Sequence, residues 1–380
     1  MKVLPAPAQN RRARRLLAAA VVTMGALSAA WWAMPTASAD PPAAGAGAST
    51  SGLAKNPNAV RGDEITPDQK RAVERGLAWL ARRQPAGNGA AGYSNHAGIT
   101  ALAGLAFMEA GNLPGRGRYG KEVNRILEFV LNNCQESGLI TSDFSQGPMY
   151  GHGFATVFLG EIYGMTGDEN VKEKLEKAVR LIEKTQNAEG GWRYQPAPID
   201  ADISVTICEV MGLRAARDAG IKVDKDVIDK AIKYVERCQN PDGGFSYMAS
   251  AGGMMGGSAY PRSAAGVAAL YYAGAFQKDG PQIEKGLKYL EQFIPGKSGQ
   301  ENLGHYYYGY YYGTQAMFLA GGHYWTNFYP AIRDELIHRQ GGDGSWQGDF
   351  NDDYATSMAL IILQMPNRYL PVFAGKGPGS

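Results

Sequence analysis

Cysteine is scarce: the 380 residues hold three, Cys134, Cys208 and Cys238. Three cannot build a disulfide framework. Cys134 and Cys238 each precede a glutamine at equivalent points of a repeat, where a small buried apolar side chain is the expected role. No set of His, Cys and Asp has the spacing of a zinc site, so no metal and no cofactor are expected. Charge of either sign is also in no excess, with 38 Lys and Arg against 36 Asp and Glu. Without a basic face, a nucleic-acid partner is excluded. Outside residues 16–34 no apolar run is long enough to cross a bilayer.

Glycine, by contrast, is abundant at 50 residues, and much of it falls in one recurring pattern. Gln186 to Trp192 reads QNAEGGW, Gln239 to Phe245 QNPDGGF, and Gln340 to Trp346 QGGDGSW. Degenerate copies open at Gln84 and Gln135, and a further one has Ile294 in place of the glutamine. Each copy lies between two helical patterns. Its glycines (Gly190, Gly191, Gly243, Gly244) supply the positive φ of a helix C-terminus. Its aromatic (Trp192, Phe245, Trp346) can pack over the corner, while the glutamine (Gln186, Gln239, Gln340) satisfies backbone groups that the helix end leaves unpaired. The spacing from Gln84 to Gln135 and on to Gln186 is 51 residues at each step, then 53 to Gln239. Six stacked supersecondary units follow.

The N-terminus carries a different signal. Arg11, Arg12, Arg14 and Arg15 precede an apolar run from Leu16 to Met34 and Ala37-Ser38-Ala39. That order reads as an export leader, residues 1–39, cleaved before Asp40 for a periplasmic or extracellular destination; the alternative is an uncleaved anchor at 16–34. Its removal takes Lys2 and four arginines but no acid, leaving 33 basic against 36 acidic side chains. Residues 40–63 are an Ala, Gly, Pro and Ser-rich spacer, 64–370 the folded repeat domain, and 371–380 a tail.

In each unit the first helix is amphipathic, as with Val171, Leu175, Ala178, Val179 and Ile182, and the second is apolar nearly all round, as in Ile99 to Ala110. One helix faces water and its partner is buried on both sides. Six such hairpins give an all-α fold of two concentric rings, an α6-α6 toroid. Polar residues recur just ahead of the inner helices: His96, Tyr150 with His152, Asp200 with Asp202, Tyr260 with Arg262, His305 with Tyr306, and Asp352 with Asp353. A parallel inner ring places them around one rim of the central cavity.

The glutamine-glycine-aromatic braces on paired helices resemble the QW repeats of the terpenoid cyclase and protein prenyltransferase superfamily, over roughly residues 65–366. Ile199 to Ser204, IDADIS, is similar to the DxDD[ST] element with which squalene-hopene-type cyclases protonate an alkene. That resemblance implies Asp202 as the acid and Asp200 as its helper in a terpene cyclase or mutase-like isomerase; Ile203 stands where a second adjacent Asp belongs. The zinc-binding Asp-x-Cys of the prenyltransferases has no counterpart. Three readings stand: a cyclase-like enzyme acting on an isoprenoid, a non-catalytic toroid holding a hydrophobic ligand or protein partner, and a carbohydrate-active enzyme using Asp202 with Asp352 and Asp353.

Overall fold

The computed structural model describes residues 64–84, 92–142, 147–249, 256–274, 281–297, 303–348 and 350–374. The expected leader, spacer and final residues lie outside these. The described chain is helical, without a strand: α1 (Pro67–Arg83), α2 (Ala97–Glu109), α3 (Gly120–Asn132), α4 (Met149–Thr166), α5 (Glu169–Thr185), α6 (Ile203–Asp218), α7 (Lys225–Arg237), α8 (Tyr260–Ala273), α9 (Pro281–Leu290), α10 (Tyr306–Ala320), α11 (Gly322–Arg339), α12 (Asp352–Gln364) and α13 (Pro371–Ala374).

The even-numbered helices α2 to α12 form the inner ring, each packed on the next, and α12 closes it on α2. The odd-numbered helices α1 to α11 lie outside. Sequence dictates this sorting. Helix α5 buries only Val171, Leu175, Ala178, Val179, Ile182 and Thr185, whereas α2 buries every residue from Ala97 to Glu109 except Ile99. Chain entry to α1 is fixed by a reciprocal cap: the Gln69 amide donates to Thr66 Oγ1 at 3.1 Å and the Thr66 amide to Gln69 Oε1 at 3.2 Å, with Pro67 at the first helical position.

The braces join neighbouring units. Gln186 Nε2 donates to the Gly190 carbonyl (2.9 Å) and to that of Val227 in the next outer helix (2.8 Å). Gln239 does the same to Gly243 and Gln282. Gln340 donates to Gly344 (2.9 Å) and to Ala72 (2.8 Å), which ties the last unit to α1 and seals the ring. The indole of Trp192 donates to the Ile182 carbonyl and that of Trp346 to the Leu336 carbonyl, each ten residues upstream. Gly190 has φ of +100°, and a Cβ there would lie 2.3 Å from the Lys230 carbonyl oxygen. The position demands glycine both for its dihedral and for its closeness to the next helix.

Aromatic side chains reach across the ring from α10. The Tyr308 hydroxyl donates to the Ser204 carbonyl at 2.8 Å, Tyr312 meets Cys208 Sγ at 3.2 Å, and Tyr311 stands edge-on to Phe154 of α4. Since α8 separates α10 from α6, these contacts run through the interior, and all three tyrosines are buried. Of the tail expected at 371–380, the described part is a short helix, α13, packed on the ring. Leu370, Val372 and Phe373 are fully buried, and α13 packs on α4, α6 and α10, because its apolar side chains find the open end of the inner ring.

Candidate functional site

Asp202 is the N-cap of α6 and has no exposed surface. Two corner loops hold it. Its amide donates to the Trp192 carbonyl at 2.9 Å, and the next amide, that of Ile203, donates to the Tyr247 carbonyl at 3.0 Å. Oδ1 accepts from the amides of Ser204 and Val205, both at 2.9 Å. Oδ2 faces Arg193 Nε at 3.6 Å. Burial pushes the carboxyl up to about 6, against the opposing pull of the Val205 amide, the Tyr247 hydroxyl, the Ser204 amide and Arg193. Arg193 is bound more closely to the half-exposed Asp200 and lies 5.0 Å from the centroid of the Tyr194 ring.

The Tyr194 and Tyr247 hydroxyls are hydrogen-bonded to each other, and the Tyr194 ring centroid lies 6.0 Å from that of Tyr150. Tyr150 and Tyr247 hold their phenol protons more firmly than usual, first through burial and next through the charge of Asp202, so both face that carboxyl. The arrangement is an acid of raised pKa, anchored through one oxygen, inside a tyrosine collar with Arg193 beside it. It suits proton donation near neutral pH. Arg193, Tyr194 and Tyr247 escaped the sequence reading. The signal was present: Tyr194 and Tyr247 each stand two residues after the brace aromatic of their unit.

Other expected rim residues divide. His96 caps α2, its Nδ1 accepting from the Gly98 and Ile99 amides. His152 does not reach the rim: it is fully buried, Nδ1 accepts from the Ile140 amide at 3.1 Å, and desolvation lowers its pKa to about 4. Tyr260 is likewise internal, wedged between Phe293 and Tyr310, because the glycines of α10 at 309 and 313 make room for its ring. Arg262 is half-buried beside Tyr289 and Tyr247. His305 stacks on the exposed Phe350, and the Tyr306 ring lies 4.3 Å beneath the Arg339 guanidinium.

Asp352 and Asp353 line a cleft of about 480 Å³ with Trp79, Arg83, Ser94, Asp343 and Asn351. Asp353 is taken up by Ser94 Oγ (2.8 Å) and Arg83 Nε (3.3 Å). Helices α12 and α6 stand opposite each other in the ring, so Asp352 and Asp353 do not share a site with Asp202.

The fold is an all-α, α6-α6 toroid. Residues 155–336 match the model of the squalene-hopene cyclase C-terminal domain family. No curated protein sequence matches it. In fold it is similar to the type II terpene cyclase MstE from Scytonema (13% identity, 80% of this chain and 99% of that one, TM-score 0.56). It is also similar to the GH76 α-1,6-mannanase of Salegentibacter sp. (12%, 78% and 98%, TM-score 0.58) and to the GH76 α-mannanase BT2949 of Bacteroides thetaiotaomicron (15%, 81% and 98%, TM-score 0.57).

Proposed function

We propose that the chain is an exported, terpenoid-cyclase-like isomerase in which Asp202 protonates an isoprenoid at the tyrosine collar. The observation that supports it is the placing of Asp202 as a buried cap whose second oxygen is left to the collar, with its pKa raised to about 6. In the protonated acid, the O–H bond breaks as the alkene π pair takes the proton, leaving a carbocation on the substrate and a carboxylate on Asp202. The faces of Tyr150, Tyr194 and Tyr308 stabilise positive charge by their quadrupoles. A following alkene closes the ring, and loss of a proton from the last carbon restores the proton count. Arg193 and the two capping amides then stabilise the carboxylate.

A specific observation favours a second reading, retention of an apolar ligand without turnover: Tyr308, Tyr311 and Tyr312 turn their rings into the interior of the ring beside Ser204 and Cys208. The test is product formation from a panel of linear polyprenes by wild type and Asp202→Asn, with α-1,6-mannan alongside. Polyprene cyclisation by wild type and none by the variant supports the enzyme. A wild type inert to all polyprenes but releasing a lipid on extraction shifts the assignment to binding, and mannan cleavage overturns both.

A further inference from the structure

At the end of the ring away from Asp202, two buried carboxylates hold the chain terminus. The Val372 amide donates to Glu161 Oε1 at 3.1 Å and the Tyr369 amide to Glu109 Oε2 at 3.2 Å. Glu109 is the last residue of α2 and Glu161 lies in the fourth turn of α4, so both project where the inner helices end. Phe373 follows and stands edge-on to Tyr311 at 6.4 Å between centroids. Three acceptors in this region, Glu109 Oε1, Glu161 Oε2 and Gln364 Oε1, have no donor. Buried acceptors without donors are costly, and a proton on a carboxyl relieves that deficit by turning an acceptor into a donor.

We propose that residues 369–373 are a releasable plug in the inner ring, latched by Glu109 and Glu161 in their protonated form and let go as these ionise. Release bares the Tyr311 ring and gives apolar molecules a route to the axis from the side opposite Asp202. The surroundings favour the neutral latch. Glu161 faces Asp218 of α6, Tyr272 of α8 and Tyr311 of α10 as well as Glu109, and the Arg214 guanidinium is bound to Asp218 at 2.6 Å. Burial raises Glu161 to about 8 despite the Val372 amide, and raises Glu109 as well, through burial and then, among charges, Glu161. With the plug out, both carboxyls meet water and return toward the ordinary carboxylate value. The docked form therefore binds more protons. Its stability is full below the free value and is lost as pH rises toward about 8, with the open fraction growing roughly tenfold per pH unit for each proton released.

Hydrogen exchange of the full chain, followed by mass spectrometry of the peptide covering 368–374 and corrected for intrinsic rates, tests this. Between about pH 5 and about pH 8 the protection of that peptide should fall at least about 100-fold while α5 stays protected. Glu161→Gln, still able to accept the Val372 amide, should remove about tenfold per pH unit from the dependence, and Glu109→Gln serves if the first variant misfolds. Equal protection at both pH values in wild type, or an unchanged slope in the glutamine variant, overturns the proposal.

Discussion

Gly190→Ala tests the corner brace most directly. At φ of +100° an L-residue is disfavoured by about 1 to 2 kcal/mol. The stiffer unfolded chain returns only about 0.4 to 1 kcal/mol of this. Beyond the dihedral, the new Cβ would sit 2.3 Å from the Lys230 carbonyl oxygen, which belongs to a helix backbone and has nowhere to go. The corner must lift, and the two bonds of Gln186 to Gly190 and Val227 lengthen together, at about 0.5 to 1.5 kcal/mol each. The expected loss is about 2 to 4 kcal/mol. Gly220→Ala is the control: its φ is +93° and nothing lies within 4 Å of an added Cβ, so only the dihedral cost of about 1 to 2 kcal/mol applies. Urea unfolding of both variants against wild type measures the difference. Equal losses would refute the claim that close approach to α7, rather than the dihedral alone, requires glycine here.

Two further outcomes follow from the same geometry. Trp192→Ala removes an indole that is 1% exposed and bonded to the Ile182 carbonyl, and should cost about 3 to 5 kcal/mol by denaturant unfolding, as large aromatic truncations do; a loss under about 1 kcal/mol would contradict the burial. Asp202 has its pKa raised from 3.8 to about 6, so the native state favours the protonated acid: its stabilising contribution is complete below the unfolded value and is lost as pH rises through about 6. Asp202→Asn, whose amide keeps the cap, should therefore gain on wild type by about 1 to 3 kcal/mol between about pH 4 and pH 8. Thermal melts at the two pH values report it, and a constant difference would show the carboxyl to be solvated or fully paired.

The sequence by itself determined the ring. The alternation of an amphipathic helix such as α5 with an apolar one such as α2 calls for an outer and an inner layer, and the braces recur about once per helical hairpin, so corner geometry is encoded locally. The Asp202 cap was legible for the same reason, since a cap is a contact within a few residues. Tertiary structure alone decided the rest. His152 is turned inward by its bond to the Ile140 amide of the preceding corner loop, and Tyr260 is internal because Gly309 and Gly313 lie beside it on a helix that begins 46 residues later in sequence. Arg193, Tyr194 and Tyr247 join Asp202 only when two successive corner loops stack. Residues 371–373 looked like the start of a tail because so short a stretch makes no periodic pattern; the open end of the inner ring and the carboxylates of Glu109 and Glu161, which no local rule connects to them, decided where they go.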